Sequence, residues 1–423
     1  RERLRARGLG DVYKSQENHN DVRIEDLSFS DEAFVFATEG DTYKEKLTNM
    51  LGDLNIASQK GLVERFDSTI GAGSVLMPYG GKYQLTPQQN MVAKIPVLEK
   101  DTTTATVMAY GYNPKISKAN PFMGSVYAVV DSVTKAVCAG ADYSDIYLTF
   151  QEYFERLGTD AKRWGKPLSA LLGGFYAQEQ LKIAAIGGKD SMSGSFNDID
   201  VPPTLTSFAV APLDADKVVS GEFKNAGNLV FWLKPKYDEN NLPDFESLKQ
   251  LYDMLYMMIR DDKIRLIRSA YAVGFGGVME AICKMSFGNK IGFQFTDCCD
   301  KRDLFKAFYG SVIVEVNGLG ATGFVGDGIE AVKLGHTTEE AAIQICGETI
   351  AIDELLSAWT KPLETVFATK AEYEDVGMKN FSYGERIHIR PAATFAKPRI
   401  FIPAFPGTNC EYDSAKAFER AGG

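Results

Sequence analysis

Residues 183–196 read Ile183-Ala184-Ala185-Ile186-Gly187-Gly188-Lys189-Asp190-Ser191-Met192-Ser193-Gly194-Ser195-Phe196, a short apolar run that breaks into a loop rich in glycine and serine. Glycines let the main chain approach a ligand closely and adopt positive φ, where a Cβ would clash. Successive amides in such a loop form a concavity suited to phosphate oxygens, and Lys189 adds a point charge of the kind that binds phosphate. Asp190 supplies a hard oxygen ligand for Mg²⁺. The competing reading is an ordinary turn with a solvated Lys-Asp pair. The stretch is not a P-loop, because Asp190 stands where G-x-x-x-x-G-K-[ST] requires a hydroxyl.

Working outward, Leu181 to Ile186 reads as the strand that feeds the loop, and Thr204 to Ala211 as the next strand. Upstream, Pro167 suits the first position of a helix whose stripe Leu168, Leu171, Leu172 and Phe175 is expected to be buried. Phe122 to Ala139 has helical spacing at Val126, Val129, Val130, Val133 and Val137. Asp131 and Lys135 lie on its other face, where an i,i+4 surface pair contributes about 0.3–0.5 kcal/mol. Pro96-Val97 and Thr102 to Ala109 read as strand. Residues 1–30 form a charged lead-in, Asp31 to Gly52 a strand-like run and then a helix, and Asn55 to Tyr83 a glycine-rich connector in which Asp67 suits a turn.

Downstream, Asn228 to Leu233 reads as strand, Phe245 to Ile259 as an apolar helix, and Gly274-Phe275-Gly276-Gly277 as the entry to a helix over Val278 to Met285. The amides at that entry are candidates for a substrate-phosphate contact. Residues 318–323 match G-x-G-x-x-G, yet Phe324 to Leu334 alternates like a strand, so a dinucleotide fold is rejected. Thr337 and Glu340 have capping-box spacing for a following helix. Arg390 to Lys397 reads as a linker, Arg399 to Pro403 as strand, and Asn409 to Ala421 as a helix with Ala417 and Phe418 inward.

With 423 residues the chain has room for two or three domains. A net charge of −10 argues against a nucleic-acid surface. No apolar run reaches the 18 residues of a membrane span, and no secretory leader opens the chain. The six cysteines lack C-x-x-C spacing and the three histidines are scattered, which fits reduced thiols and disfavours a His-based metal site or triad.

Several stretches, in one order, resemble the second half of the synthetase region of phosphoribosylformylglycinamidine synthase of the large, glutamine-dependent type. They are LTFQEYFERLG (148–158), RWGKP (163–167), AIGGKDSMSGSF (185–196), PPTLTSFAVAPL (202–213), AYAVGFGGVMEAICKMSFGNKIG (270–292) and FPGTNCEYDSAKAFERAGG (405–423). The resemblance implies an α/β (α+β) fold of paired aminoimidazole-ribonucleotide-synthetase-like modules. It divides the chain into the tail of a preceding module (1–56), a nucleotide-binding N-type module (57–213), a C-type module (214–376), a linker (377–398) and the truncated start of a class I amidotransferase domain (399–423). It further implies a cytoplasmic ligase that uses ATP and glutamine-derived ammonia to convert formylglycinamide ribonucleotide into formylglycinamidine ribonucleotide, ADP and phosphate.

Carried over residue by residue, the resemblance makes Gly187, Gly188, Lys189, Ser191, Ser193 and Lys100 nucleotide contacts, and Asp101, Asp131 and Asp190 ligands of Mg²⁺. Relatives hold that ion with a carboxylate and an amide at the positions of Asp131 and Lys135. An ammonium cannot ligate a cation, so Lys135 is expected to reach a phosphate or displace one metal ion. Gly274-Phe275 stands where many relatives carry Ser-Asp. Cys410 is expected to be structural, because the family's nucleophilic cysteine sits on a later elbow. No catalytic residue is assigned, since the family's histidine belongs to the first half; the piece alone is expected to be inactive and to need that half and a glutaminase domain as partners. The alternative reading is a non-catalytic half that binds ADP and stabilises the enzyme. A selenophosphate- or thiamine-phosphate-type enzyme is disfavoured by the amidotransferase-like tail.

Overall fold

A computed structural model describes residues 20–25, 31–36, 39–97, 100–239, 241–261, 266–296, 303–317, 328–370, 382, 384 and 395–422. The chain divides into two units, Arg1–Lys370 and Ala371–Gly423. Most of the charged lead-in over residues 1–30 and the glycines of 318–323 lie outside the described residues, as does most of the 377–398 linker.

The first unit opens with helix α1 (Tyr43–Gly52), which carries a true capping box: Thr42 accepts from the Glu45 amide, and the Glu45 carboxylate accepts from the Thr42 amide. A six-stranded sheet follows, built from β1 (Ser74–Leu76), β2 (Asn90–Lys94), β3 (Thr104–Gly111), β4 (Tyr147–Tyr153), β5 (Ala184–Lys189) and β6 (Thr204–Asp214), in the spatial order β1-β2-β3-β6-β4-β5. β4 and β5 are parallel, joined by a helical crossover, and the other neighbours are antiparallel. β5 therefore ends the sheet.

Helices α2 (Pro114–Ala119) and α3 (Pro121–Cys138) each start with Asn as cap and Pro in the first turn, a combination that satisfies orphan amides and needs no N–H from the proline. In α3 only Phe122 and Lys135 escape burial. A helix buried all round is a core element, and α3 packs on β3 and β6 of this sheet and also meets the second one. The crossover helix α4 (Ala161–Leu181) packs on α3.

The second sheet holds seven strands: β7 (Leu229–Pro235), β8 (Ile267–Ala272), β9 (Gly292–Phe295), β10 (Val312–Val316), β11 (Ile329–Thr338), β12 (Ala342–Ile345) and β13 (Glu348–Ala351), in the order β8-β10-β7-β11-β9-β12-β13. Helices α5 (Phe245–Arg260), α6 (Gly277–Phe287) and α7 (Ile352–Glu364) accompany it. One cluster of buried side chains joins α3 and the first sheet to α5, β8 and β10, and a second surrounds α6.

Several expectations are corrected. α4 begins at Ala161, so Pro167 lies inside it and not at its start. Its Leu168, Leu171, Leu172 and Phe175 face outward, with Phe175 57% exposed. The buried face is instead Gly165, Pro167, Ser169, Ala170, Gly173, Gly174, Ala177 and Leu181, because α3 lies too close for larger groups. A Cβ on Gly173 would stand 2.2 Å from the Phe122 carbonyl oxygen. Leu181 ends that helix, Lys182 turns the chain at φ 58°, and the strand starts only at Ala184, then runs through the glycine pair to Lys189. Pro96-Val97 lies outside β3. Thr337 does not cap a helix: it is in β11, and its hydroxyl donates to the Asn225 carbonyl.

In the second unit, Glu411–Arg420 forms α8, whereas residues 399–403 form no strand and Phe418 is exposed. Among the described residues no helix is long and apolar enough to cross a membrane.

The inverted face of α4 is testable by thermal unfolding. Gly173→Ala is expected to cost about 1–3 kcal/mol through overpacking, whereas Leu171→Ser should stay within about 0.5 kcal/mol of wild type. A buried leucine stripe would give the reverse order.

Candidate functional site

The glycine run lies on the open edge of the first sheet. The ladder between β4 and β5 pairs Leu148 with Ala185 and then Phe150 with Gly188, so Ile186 and Gly187 together oppose Thr149 in a bulge. Gly187 has φ 153° and open space where a Cβ would be, and its carbonyl accepts from the Thr149 hydroxyl at 3.2 Å. Gly188 is required by close approach, since a Cβ there would stand 2.6 Å from the Phe150 carbonyl oxygen. Beyond Lys189 the loop stays attached to the end of β4. The Ser191 amide donates to the Glu152 carbonyl, the Phe154 amide to the Ser191 carbonyl, and the Gly194 amide to the Phe154 carbonyl. The amides of Ser191 and Gly194 are thus committed, while an edge strand leaves alternate main-chain groups of β5 free.

Lys189 and Asp190 are exposed, and among the described residues neither side chain has a hydrogen-bond or ion-pair partner. The hydroxyls of Ser191 and Ser193 lie 2.8 Å apart and bond to each other. Lys100 is exposed on the turn before β3. The arrangement offers an ammonium, two hydroxyls and strand-edge amides to an anion arriving from solvent.

The three carboxylates expected to share a metal ion are dispersed. Asp101 is exposed beside Lys100, bound to Lys94 Nζ at 2.9 Å, and this ammonium holds its carboxyl below the usual aspartate value. Asp190 is at the far edge of the sheet. Asp131 is buried in α3, 3% exposed, with Oδ2 2.6 Å from Lys135 Nζ. Lys135 also donates to the Tyr110 carbonyl at 2.9 Å and sits over the Tyr110 ring. The pair is therefore no surface i,i+4 contact. Burial opposes the charge on Lys135, but Asp131 more than reverses this and raises the ammonium above the ordinary lysine value. Tyr110 is on β3, separated from β5 by β6 and β4. At ~4.8 Å per strand that is roughly 14 Å, so Lys135 is not beside Lys189. Among the described residues no group of three or more His, Cys, Asp or Glu side chains converges as a metal site.

The helix entry at Gly274–Gly277 is also self-satisfied. Gly277 has φ 72°, and its Cβ would meet the Leu304 carbonyl oxygen at 2.6 Å. The amide of Gly276 donates to Glu280 Oε2 at 2.6 Å, and that of Gly277 to the Gly274 carbonyl. The chain's own carboxylate stands where a substrate phosphate was expected, with Lys284 on its other oxygen. Asp67 accepts from the Thr69 amide and hydroxyl, the turn role expected of it.

Two residues escaped the sequence reading. Asn90 donates to the Lys135 carbonyl at 2.9 Å and keeps a buried Oδ1 without a partner. Glu152, at the end of β4, has a buried Oε1 without a partner, and burial, then the charge of Asp190, pushes its carboxyl up to about 7. No spacing marks either residue, since Glu152 and Asp190 meet only through sheet pairing.

The two sheets with their helices define a mixed α/β fold, and solved structures share it. T. maritima PurL complexed with AMPPCP superposes with a TM-score of 0.56 at 12% identity, covering 89% of this chain and 57% of that one. In sequence the chain is similar to the phosphoribosylformylglycinamidine synthase subunit PurL. The protein of that name from Thermoplasma acidophilum is 20% identical over 357 residues, 75% of this chain and 44% of the relative. The Leuconostoc mesenteroides protein is 24% identical over 375 residues, 82% of this chain and 47% of the relative. The chain thus spans about half the length of the curated relatives it matches. No family model matches it.

The raised Glu152 carboxyl has a defined consequence. A carboxyl whose folded value, about 7, exceeds its ordinary 4.5 holds a proton in the fold that the unfolded chain has lost, so stability falls as pH rises between those values. Glu152→Gln should flatten that fall and be more stable than wild type above pH 7 by roughly 1 kcal/mol once solvent screening is allowed for. Parallel unfolding curves at all pH values would contradict the assignment.

Proposed function

We propose that the chain is the nucleotide-binding second part of an ATP-dependent carbon–nitrogen ligase that makes formylglycinamidine ribonucleotide in purine biosynthesis. The observation that carries the reading is the similarity to PurL over as much as 82% of the chain. It is supported by the unpaired Lys189 on a glycine-lined strand edge and by the fold shared with a PurL complexed with AMPPCP. In this reading the N-type and C-type modules are the two sheets, and residues 399–423 are the beginning of a glutamine amidotransferase domain. The partners would be the remaining synthetase half and a glutaminase.

In the reaction an amide oxygen is a poor leaving group, so ATP phosphorylates it and ammonia then displaces phosphate from the activated carbon. Such chemistry rests on positioning and on stabilising charge at phosphoryl oxygens. The role of this chain is to hold polyphosphate: Lys189 as counter-charge, the edge amides of Gly187 and Gly188 as donors, and Ser191 and Ser193 as further contacts, whereas Lys100, on the hairpin between β2 and β3 at the Thr104 end of the sheet, is three strands away and not among them.

Within that reading, a structural nucleotide is favoured over a turning-over one. The interior position where the family resemblance places a metal ion is filled by Lys135 beside Asp131, and the α6 entry, whose amides were candidates for a substrate phosphate, is filled by Glu280.

Thermal-shift titration with ADP and ATP tests the site. Ligand at a hundred times its Kd contributes about 2.7 kcal/mol to stability, and Lys189→Ala should remove most of the shift. ATP should remain unhydrolysed after long incubation. A full shift in Lys189→Ala moves the nucleotide elsewhere.

A further inference from the structure

Helix α3 carries its charged pair into the seam between the two sheets. Asp131 Oδ2 binds Lys135 Nζ, and the ammonium is held from its other side by the Tyr110 carbonyl and ring. The second buried pair nearby, Glu280 and Lys284 on α6, is committed to the Gly276 amide and to itself. The oxygens left over are Asp131 Oδ1 and Asn90 Oδ1, both buried and without partners.

Mg²⁺ requires near-octahedral oxygen ligation at about 2.0–2.1 Å and is usually held by one or two carboxylates. The Asp131 corner offers one carboxylate, already neutralised by an ammonium. Asp101 and Asp190 are elsewhere, on an exposed turn and on the sheet edge. A divalent ion would therefore meet an adjacent positive charge, and the other carboxylate whose charge is felt there, Glu280, is already committed to Lys284 and the Gly276 amide. The two orphan oxygens suit a neutral donor such as water, which brings no charge. The residues do not fit the metal that the family resemblance implies.

We propose that Lys135 is a tethered substitute for a divalent cation: its ammonium neutralises Asp131 within the seam, and the chain takes no divalent ion at this position. The inference concerns the Asp131 corner alone and stands apart from whether β5 binds nucleotide. Its test accordingly uses the full chain without nucleotide.

Wild type, Lys135→Asn, Asp131→Asn and the Asp131→Asn/Lys135→Asn double variant are compared in thermal unfolding with millimolar Mg²⁺ or Mn²⁺ and with chelator. Lys135→Asn leaves a buried carboxylate beside a new amide. It should melt lower than wild type in chelator and rise by at least about 2 °C with either metal, while the wild type and the double variant stay unmoved. Lys135→Asn that folds and gains nothing from metal overturns the proposal. If Lys135→Asn does not fold, Mn²⁺ binding to wild type and Asp131→Asn, followed by electron paramagnetic resonance, decides. Binding to wild type that Asp131→Asn abolishes overturns the proposal, and equal binding or none in both upholds it.

Discussion

A carboxylate in the middle of a helix buried on every side must be neutralised where it lies, and in this chain the neutralising group is one turn away on the same helix. Asp131 and Lys135 face the seam between the sheets, where the Asp131 carboxylate is 3% exposed and a bare charge would be poorly solvated. Removing one partner from such a pair typically costs about 3–5 kcal/mol, because the other is left buried and unpaired. Lys135 in turn ties α3 to its neighbours, through its ammonium to the Tyr110 carbonyl of β3 and through its carbonyl to the Asn90 side chain of β2. Each charge in the seam has an internal opposite, so the two sheets close on one another with no outside ion.

In the proposed reading, this self-sufficiency makes the strand edge the place for an external anion. β5 carries the bulge at Ile186–Gly187, a close approach at Gly188 that admits no side chain, and an exposed ammonium and carboxylate without partners among the described residues. The glycines serve the fold and the surface together: one lets β5 approach β4, and the other leaves the main chain bare toward solvent. Glu152, raised by burial and by Asp190, shows that negative charge at this edge is already costly, which favours a cationic partner for phosphate over a further carboxylate.

Much of the architecture could be read from the sequence, since periodicity speaks directly for elements with one apolar face. The helices over 121–138, 245–260 and 277–287 and the strands over 204–214 and 229–235 lie close to their expected bounds. Burial was harder to read. The α4 stripe is apolar at helical spacing, yet α3 selects the glycine face because only a small-residue surface admits its main chain at 2.2 Å from a would-be Cβ. Likewise Asp131 and Lys135 have the spacing of a surface pair, and nothing in the residues themselves tells that a second sheet covers them. The glycine loop was found by composition, but its contacts with Glu152 and Phe154 depend on parallel pairing across about forty residues of chain.

Calorimetric titration of ADP into the wild-type chain, in EDTA and then in Mg²⁺, tests most directly whether the chain's own ammonium groups supply the positive charge. The result expected is binding in EDTA with Kd within about tenfold, or 1.4 kcal/mol, of the value in Mg²⁺. Binding that vanishes in EDTA and returns only with the metal would contradict it.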